Sequence, residues 1–238
     1  MRPDQATPST PPALVLRGVA RRFERHWALR GVDLTVRSGE SIALAGPNGS
    51  GKTTLLRIAA TLIRPTRGAG EVCGHDLVLG ADAARRNVGL LAHRTGLYED
   101  LSARQNLSFA ARMLGLGPRP ASLAVVLDRV GLSAHADRRV RGFSSGMRRR
   151  LALGRLLLAP PRLLLLDEPF ASFDAAGLEL LEGVTRELSE AGSSVVVATH
   201  DLVRASRIVD RVVYLKRGRV VPSNPAGSAR GLPATVAR

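Results

Sequence analysis

Residues 46–53 read Gly-Pro-Asn-Gly-Ser-Gly-Lys-Thr, the spacing G-x-x-x-x-G-K-[ST] of a loop that wraps phosphate groups. Gly46, Gly49 and Gly51 let backbone N–H groups turn inward around phosphate oxygens, and a helix beginning at the end of the loop aims its positive dipole end at the same point. Lys52 has the reach for β- and γ-phosphates, and Thr53 is placed to hold Mg2+. Pro47, Asn48, Ser50 and Thr54 complete the candidate ATP-binding run. Two more stretches carry groups that suit phosphoryl chemistry. "LLLLDEP" ends an apolar run in Asp167, a candidate Mg2+ ligand, and Glu168, a candidate to polarise the attacking water. "VVVATHD" ends another in His200, whose imidazole can contact a γ-phosphate.

These groups need a scaffold that gathers them. In open α/β sheets functional side chains collect beyond the carboxyl ends of the strands. "SIALA" before the loop reads as a strand and "TLLRIAATLI" after it as a helix, while the continuously apolar "RLLLLD" and "SVVVAT" suit a parallel sheet covered on both faces. "ALVLRGVA" and "GVDLTVRSGESIALAG" alternate instead, and predict antiparallel strands with a turn at Ser38-Gly39. From about Leu101 to Leu158 the period is helical, in "SARQNLSFAARMLGL", "ASLAVVLDRVGL" and "SGMRRRLALGRLLL". The expected fold is therefore α/β: a P-loop NTPase (RecA-like) core with an antiparallel β subdomain and an inserted helical lobe. One domain is expected over 13–221, with the lobe at about 95–158 and with flexible tails, rich in Pro and small residues, at 1–12 and 222–238.

Composition narrows the function classes. The 238 residues carry 35 Lys+Arg against 20 Asp+Glu, a formal charge of +15 that points to an acidic partner, although only Lys52 and Lys216 are lysine and a general arginine bias explains the excess equally well. Cys73 is the single cysteine, which excludes an intrachain disulfide and a cysteine-based zinc cluster and suits a reducing compartment. No apolar run reaches about 18 residues, since "RLLLAPPRLLLLDEP" is broken by Pro160, Pro161 and Arg162, and the N-terminal "MRPDQATPSTPP" has no apolar h-region. Work at a membrane would be done from its side. Arg148, Arg149 and Arg150 in "RGFSSGMRRRLALGR" fan round a helix at about 100° per residue, so they do not all track one nucleic-acid backbone.

From about Leu14 to Val221 the chain resembles the ATP-binding subunits of ABC transporters. "FSSGM", upstream of "LLLLDEP", lies where that family carries L-S-G-G-Q; the Ser and second Gly remain, and three of five positions differ. The resemblance implies an ATPase coupled to transmembrane transport, with ATP and Mg2+ as cofactors and a separate transmembrane permease as partner. It also implies a nucleotide-dependent head-to-tail homodimer at the cytoplasmic face of the cell membrane, and no nucleic acid. It assigns Ser144, Ser145 and Gly146 to the γ-phosphate bound by the opposite subunit, Phe23 to adenine stacking with Trp27 as the competing choice, and Asp174 to the dimer interface. His93 falls at the family's Q-loop glutamine, beside the metal. The pattern is most similar to haem-exporter ATPases of cytochrome c maturation, with ABC-2 type drug or lipid exporters as the alternative and an importing system behind both. A P-loop ATPase acting on DNA is the reading from another class; it usually brings coiled coils or cysteine-ligated zinc, and neither is in the sequence. Glu168 argues against a module that binds ATP without hydrolysing it.

Overall fold

The computed structural model describes residues 10–221 except 93 and 118. His93, residues 1–9 of the expected N-terminal tail and the whole tail expected at 222–238 lie outside the described residues. Two sheets carry the fold. The first is antiparallel: β1 (Leu14–Phe23) pairs with β2 (His26–Val36) from Leu14↔Val36 to Phe23↔His26, and on its other side with β4 (Arg67–Val72), which pairs in turn with β5 (His75–Asp76). The second has the order β10-β9-β3-β8-β7-β6, built from β3 (Ser41–Ala45), β6 (Val88–Leu91), β7 (Leu163–Asp167), β8 (Ser194–Ala198), β9 (Arg211–Lys216) and β10 (Arg219–Val221). Its pairings are parallel except β9 with β10.

The sequence pairs the segments on either side of Ser38-Gly39 as antiparallel neighbours, and here the structure differs. The turn is present, with Gly39 at φ 76°, but β3 leaves the first sheet and enters the second between β8 and β9. All five residues of β3 are buried. A strand with two apolar faces is stabilised by covering both, which only the middle of a parallel sheet between helices provides.

Helix α1 (Lys52–Ala59) follows β3, and α2 (Ala81–Arg85) precedes β6. The region read as helical contains α3 (Ala103–Met113), α4 (Pro120–Arg129) and α5 (Ser145–Leu158). Helix α3 opens with a reciprocal capping box between Ser102 and Gln105. The remaining helices are α6 (Ala175–Glu190) and the single turn α7 (Leu202–Ala205). Among the described residues no helix is long and apolar enough to cross a membrane.

Three apolar clusters hold these pieces. Leu14, Leu16 and Val32 of the antiparallel sheet pack with Leu55 and Ile58 of α1 against Ile42 and Leu165 of the parallel sheet. On the opposite face of that sheet, Leu164, Val195 and Val197 meet Leu153 and Leu181. Leu107, Leu127 and Leu151 form the centre of the lobe. Helix α5 enters both the second and third clusters, so one helix packs against the lobe and the sheet together.

Candidate nucleotide site

The phosphate-type loop sits between the end of β3 and the start of α1, where the sequence placed it. Its glycines are demanded by geometry. A Cβ on Gly46, at φ 149°, would stand 2.1 Å from the Leu215 carbonyl oxygen, and one on Gly51, at φ 110°, 2.7 Å from the Ala28 oxygen. With Gly51 at the N-cap, no side chain caps α1, so its first N–H groups face outward and offer an anion both hydrogen bonds and the positive end of the helix. Ser50 is buried and its Oγ makes no hydrogen bond within the described protein.

A cleft of about 340 Å3 opens over this loop. It is lined by Asn48, Gly49, Ser50, Gly51, Lys52, Thr53 and Thr54 together with Phe23, His26, Ala28 and Glu168. Gly46 and Pro47 are not in that lining; Gly46 acts from behind, its carbonyl accepting from Lys52 Nζ at 2.7 Å. Lys52 is buried, and its ammonium also lies 3.6 Å from Glu168 Oε1.

The two carboxylates end β7 in different poses. Asp167 is buried, and its Oδ1 accepts from the Thr53 hydroxyl at 2.9 Å. Glu168 follows in the left-handed region at φ 45°, held by its N–H donating to the Ala198 carbonyl at 2.8 Å. This conformation, uncommon for a residue with a side chain, swings the carboxylate over the cleft. His200, just beyond β8, places Nδ1 2.9 Å from Glu168 Oε2 and leaves the rest of the ring exposed. Lys52, Thr53, Asp167, Glu168 and His200 are thus brought together from the ends of three neighbouring parallel strands.

A hydroxyl and a carboxylate sharing one point are hard oxygen donors of the kind Mg2+ takes. Among the described residues no group of three or more His, Cys, Asp or Glu side chains could hold a metal ion. A pair of protein oxygens, with the rest of the coordination left to phosphate and water, fits Mg2+ bound with a nucleotide.

Phe23 and Trp27 are separated. Phe23 lines the cleft, with the Arg21 guanidinium 4.6 Å from its ring centroid, whereas Trp27 lines a different hollow on the antiparallel sheet. His26 and Ala28, also in the cleft, escape sequence reasoning. The signal for His26 was the two-residue connection Glu24-Arg25, which sets His26 opposite Phe23.

Ser144, Ser145 and Gly146 do not join the cleft of their own chain. Ser144 is the N-cap of α5, its Oγ accepting from Met147 N–H at 3.2 Å. Nothing lies within 4 Å of a Cβ on Gly146, so this helix start faces open space. Asp174 likewise caps α6, accepting from Gly177 N–H at 2.9 Å, and is exposed. The arginines that follow Ser144 do fan out: Arg148 pairs with Glu99, while Arg149 is buried and reaches toward the Ala92 carbonyl. Burial pushes the Arg149 guanidinium below its ordinary value, against the opposing charge of Asp167. Further along α5, Arg155 donates to the carbonyls of Thr95 and Gly96 at 2.7 and 2.9 Å. Ala92, Thr95 and Gly96 are thus each tied to α5 through their carbonyls.

Comparison with known proteins agrees with this geometry. A profile of the family described as "ABC transporter" matches residues 29–171. The chain is 39% identical over 216 residues to a daunorubicin resistance ATP-binding protein, DrrA3, of Streptomyces coeruleorubidus, covering 90% of this chain and 68% of that one. It is 36% identical over 229 residues to a sulfate/thiosulfate import ATP-binding protein, CysA, of Pseudomonas putida, covering 93% and 69%. Among solved structures it is similar to the ATP-binding cassette MJ0796, a dimer in a post-hydrolysis state bound to ADP and Pi, with a TM-score of 0.83, 28% identity and coverage of 92% of this chain and all of that one.

Proposed function

The chain belongs to the ABC transporter family as an ATP-binding subunit with the ABC ATPase fold, and from that premise we propose that it hydrolyses Mg·ATP to drive a separate membrane permease. One observation carries the hydrolytic reading: Glu168 stands over the phosphate loop between Lys52 and His200. Lys52 binds the β- and γ-phosphates, and the N–H groups from Gly49 to Thr54 cradle them. Thr53 and Asp167 hold the Mg2+, which when bound neutralises phosphate charge. Glu168 accepts a hydrogen bond from the attacking water and takes its proton. His200 orients that carboxylate and reaches the γ-phosphate, and Phe23 stacks on the adenine.

The second half of the site comes from another copy. In this reading Ser144, Ser145 and Gly146 of one subunit close over the γ-phosphate held by its twin, and Asp174 lies in the interface between them. The open surroundings of Gly146 and the dimeric state of MJ0796 support this head-to-tail arrangement. In this reading His93 is the Q-loop residue that contacts the metal beside the nucleotide. The subunit works at the cytoplasmic face, and the apparatus exports its cargo.

For that cargo we favour a small organic molecule of the drug class, because the daunorubicin resistance protein DrrA3 is 39% identical over 216 residues, a span that covers 90% of this chain. Neither DrrA3 nor CysA bears a name linked to haem, so the haem-linked assignment expected from the sequence gains no support from them.

The test is Glu168→Gln. It should leave ATP affinity within about twofold and cut turnover by 10²- to 10⁴-fold, the usual worth of a general base. Unchanged turnover would remove Glu168 from the chemistry.

A further inference from the structure

A second cleft of about 340 Å3 opens on the antiparallel sheet, away from the phosphate loop. Trp27, Arg30, Arg67 and Arg219 line it, and Gly18 and Gly31, with nothing within 4 Å of a Cβ at either, keep it open. The guanidiniums of Arg22 and Arg67 each lie 5.6 Å from the centroid of the Trp27 ring. Among the described residues no carboxylate lines this cleft, and none of these four arginines has a carboxylate partner. Of the acids on the surrounding strands, Glu71 pairs with Arg17 at 3.0 Å, and Asp33 stands at the rim, accepting from the N–H of the cleft residue Gly18 at 2.7 Å, one negative charge against the four arginines.

Close backbone approaches bring the arginines together. Strand β4 passes so near β1 that a Cβ on Gly68 would be 2.4 Å from the Gly18 carbonyl oxygen, which sets Arg67 across from Ala20. The β9–β10 turn presses on β2 in the same way: a Cβ on Gly218 would be 2.6 Å from the Ala28 oxygen, and Arg30 N–H donates to the Gly218 carbonyl at 2.8 Å. That contact carries Arg219 to the side of Arg30. In water the mutual repulsion of such exposed charges is weak, whereas an anion of two or more charges is attracted by all of them at once. Guanidiniums also fork onto phosphate oxygens in pairs.

We propose that this cleft is a binding site for a small anion carrying two or more phosphate charges, with Trp27 as its wall. Trp27 is the only tryptophan in the sequence, so its emission reports the cleft directly. The experiment titrates the full chain, kept saturated with Mg·ADP so that the phosphate loop is filled, with pyrophosphate at constant ionic strength. A parallel arm uses phosphatidylcholine vesicles with and without cardiolipin. The comparison variant is Arg67→Gln with Arg219→Gln; Arg17→Gln, on the same sheet outside the cleft, is the control. A saturable change in emission that weakens at least tenfold in the double variant and persists in Arg17→Gln supports the site, with ADP affinity and melting temperature unchanged. A response to pyrophosphate assigns a soluble phosphate compound, and one to cardiolipin vesicles alone assigns a lipid headgroup. Silence in both arms, or a response of equal strength in the double variant, overturns the proposal.

Discussion

The Thr53 hydroxyl donates to Asp167 Oδ1 at 2.9 Å, joining the start of α1 to the end of β7 across 114 positions of sequence. Each offers a hard oxygen donor, and together they define one point at the mouth of the parallel sheet. Asp167→Asn keeps the volume but removes the charge that a divalent ion requires. Turnover should then need at least about tenfold more Mg2+ for half-saturation, in line with losses of 10- to 100-fold for groups that support a metal site. A Mg2+ titration of ATPase activity checks it; an unshifted curve would place the ion elsewhere.

Gly46 and Gly49 offer an internal contrast. Both have positive φ, 149° and 76°, but a Cβ at Gly46 meets the Leu215 oxygen at 2.1 Å while at Gly49 nothing lies within 4 Å. Gly49→Ala therefore costs only backbone strain, about 1 to 2 kcal/mol. Gly46→Ala must also push the loop off strand β9, so it should abolish nucleotide binding and melt at a lower temperature than Gly49→Ala. Isothermal titration with ADP alongside thermal unfolding distinguishes the two. Equal behaviour would mean the loop adapts freely.

Much of this was readable in the chain, for definable reasons. The run from Gly46 to Thr53 points to its own conformation and to the flanking elements, because a strand–loop–helix leaves its N–H groups free to converge on phosphate. Asp167 and His200 were found because each ends a short apolar run, which marks the mouth of a parallel sheet. The destination of β3 was not readable. Alternation and a turn at Ser38-Gly39 establish that the chain bends, but long-range pairing with Val195–Ala198 and Arg211–Tyr214 decides which sheet receives the strand. The choice between Phe23 and Trp27 rested on register irregularities within β1 and β2, one of them between Arg21 and Arg22, which no single-residue preference encodes.

Glu40 sets an acid limit on the junction of the two sheets. Burial raises its pKa, but this is outweighed by the hydrogen bond from Arg211 Nε at 2.5 Å, the Arg37 N–H at 2.8 Å and the charge of Arg211, and the carboxyl titrates below its ordinary 4.5. A depressed carboxyl contributes stability that is complete above the unfolded value and is lost as pH falls through the folded one. Glu40→Gln should thus cost about 1 to 2 kcal/mol at pH 7, the scale of a charge-assisted hydrogen bond. The deficit should shrink below pH 4.5 and vanish in stronger acid. Denaturant unfolding at pH 7 and below pH 4 measures both ends, and a deficit independent of pH would show that the carboxylate charge is not what holds the junction.

Ser144 separates a local role from one across subunits. As N-cap of α5 its hydroxyl satisfies Met147 N–H, and Ser144→Ala should cost about 1 kcal/mol of stability. Ser144→Arg adds bulk and charge at a helix start that faces open space, so an isolated subunit can accommodate it and keep its own phosphate loop intact. If the loop of one subunit is completed by this helix of another, the arginine variant should bind ATP with unchanged affinity, fail to dimerise in its presence, and lose nearly all turnover. Mixing it with Lys52→Ala subunits makes the test stricter. The mixed dimer pairs the intact loop of one partner with the intact Ser144 of the other, so one competent site of two should reappear and restore part of the activity. Full turnover by Ser144→Arg alone would show that each chain completes its own site.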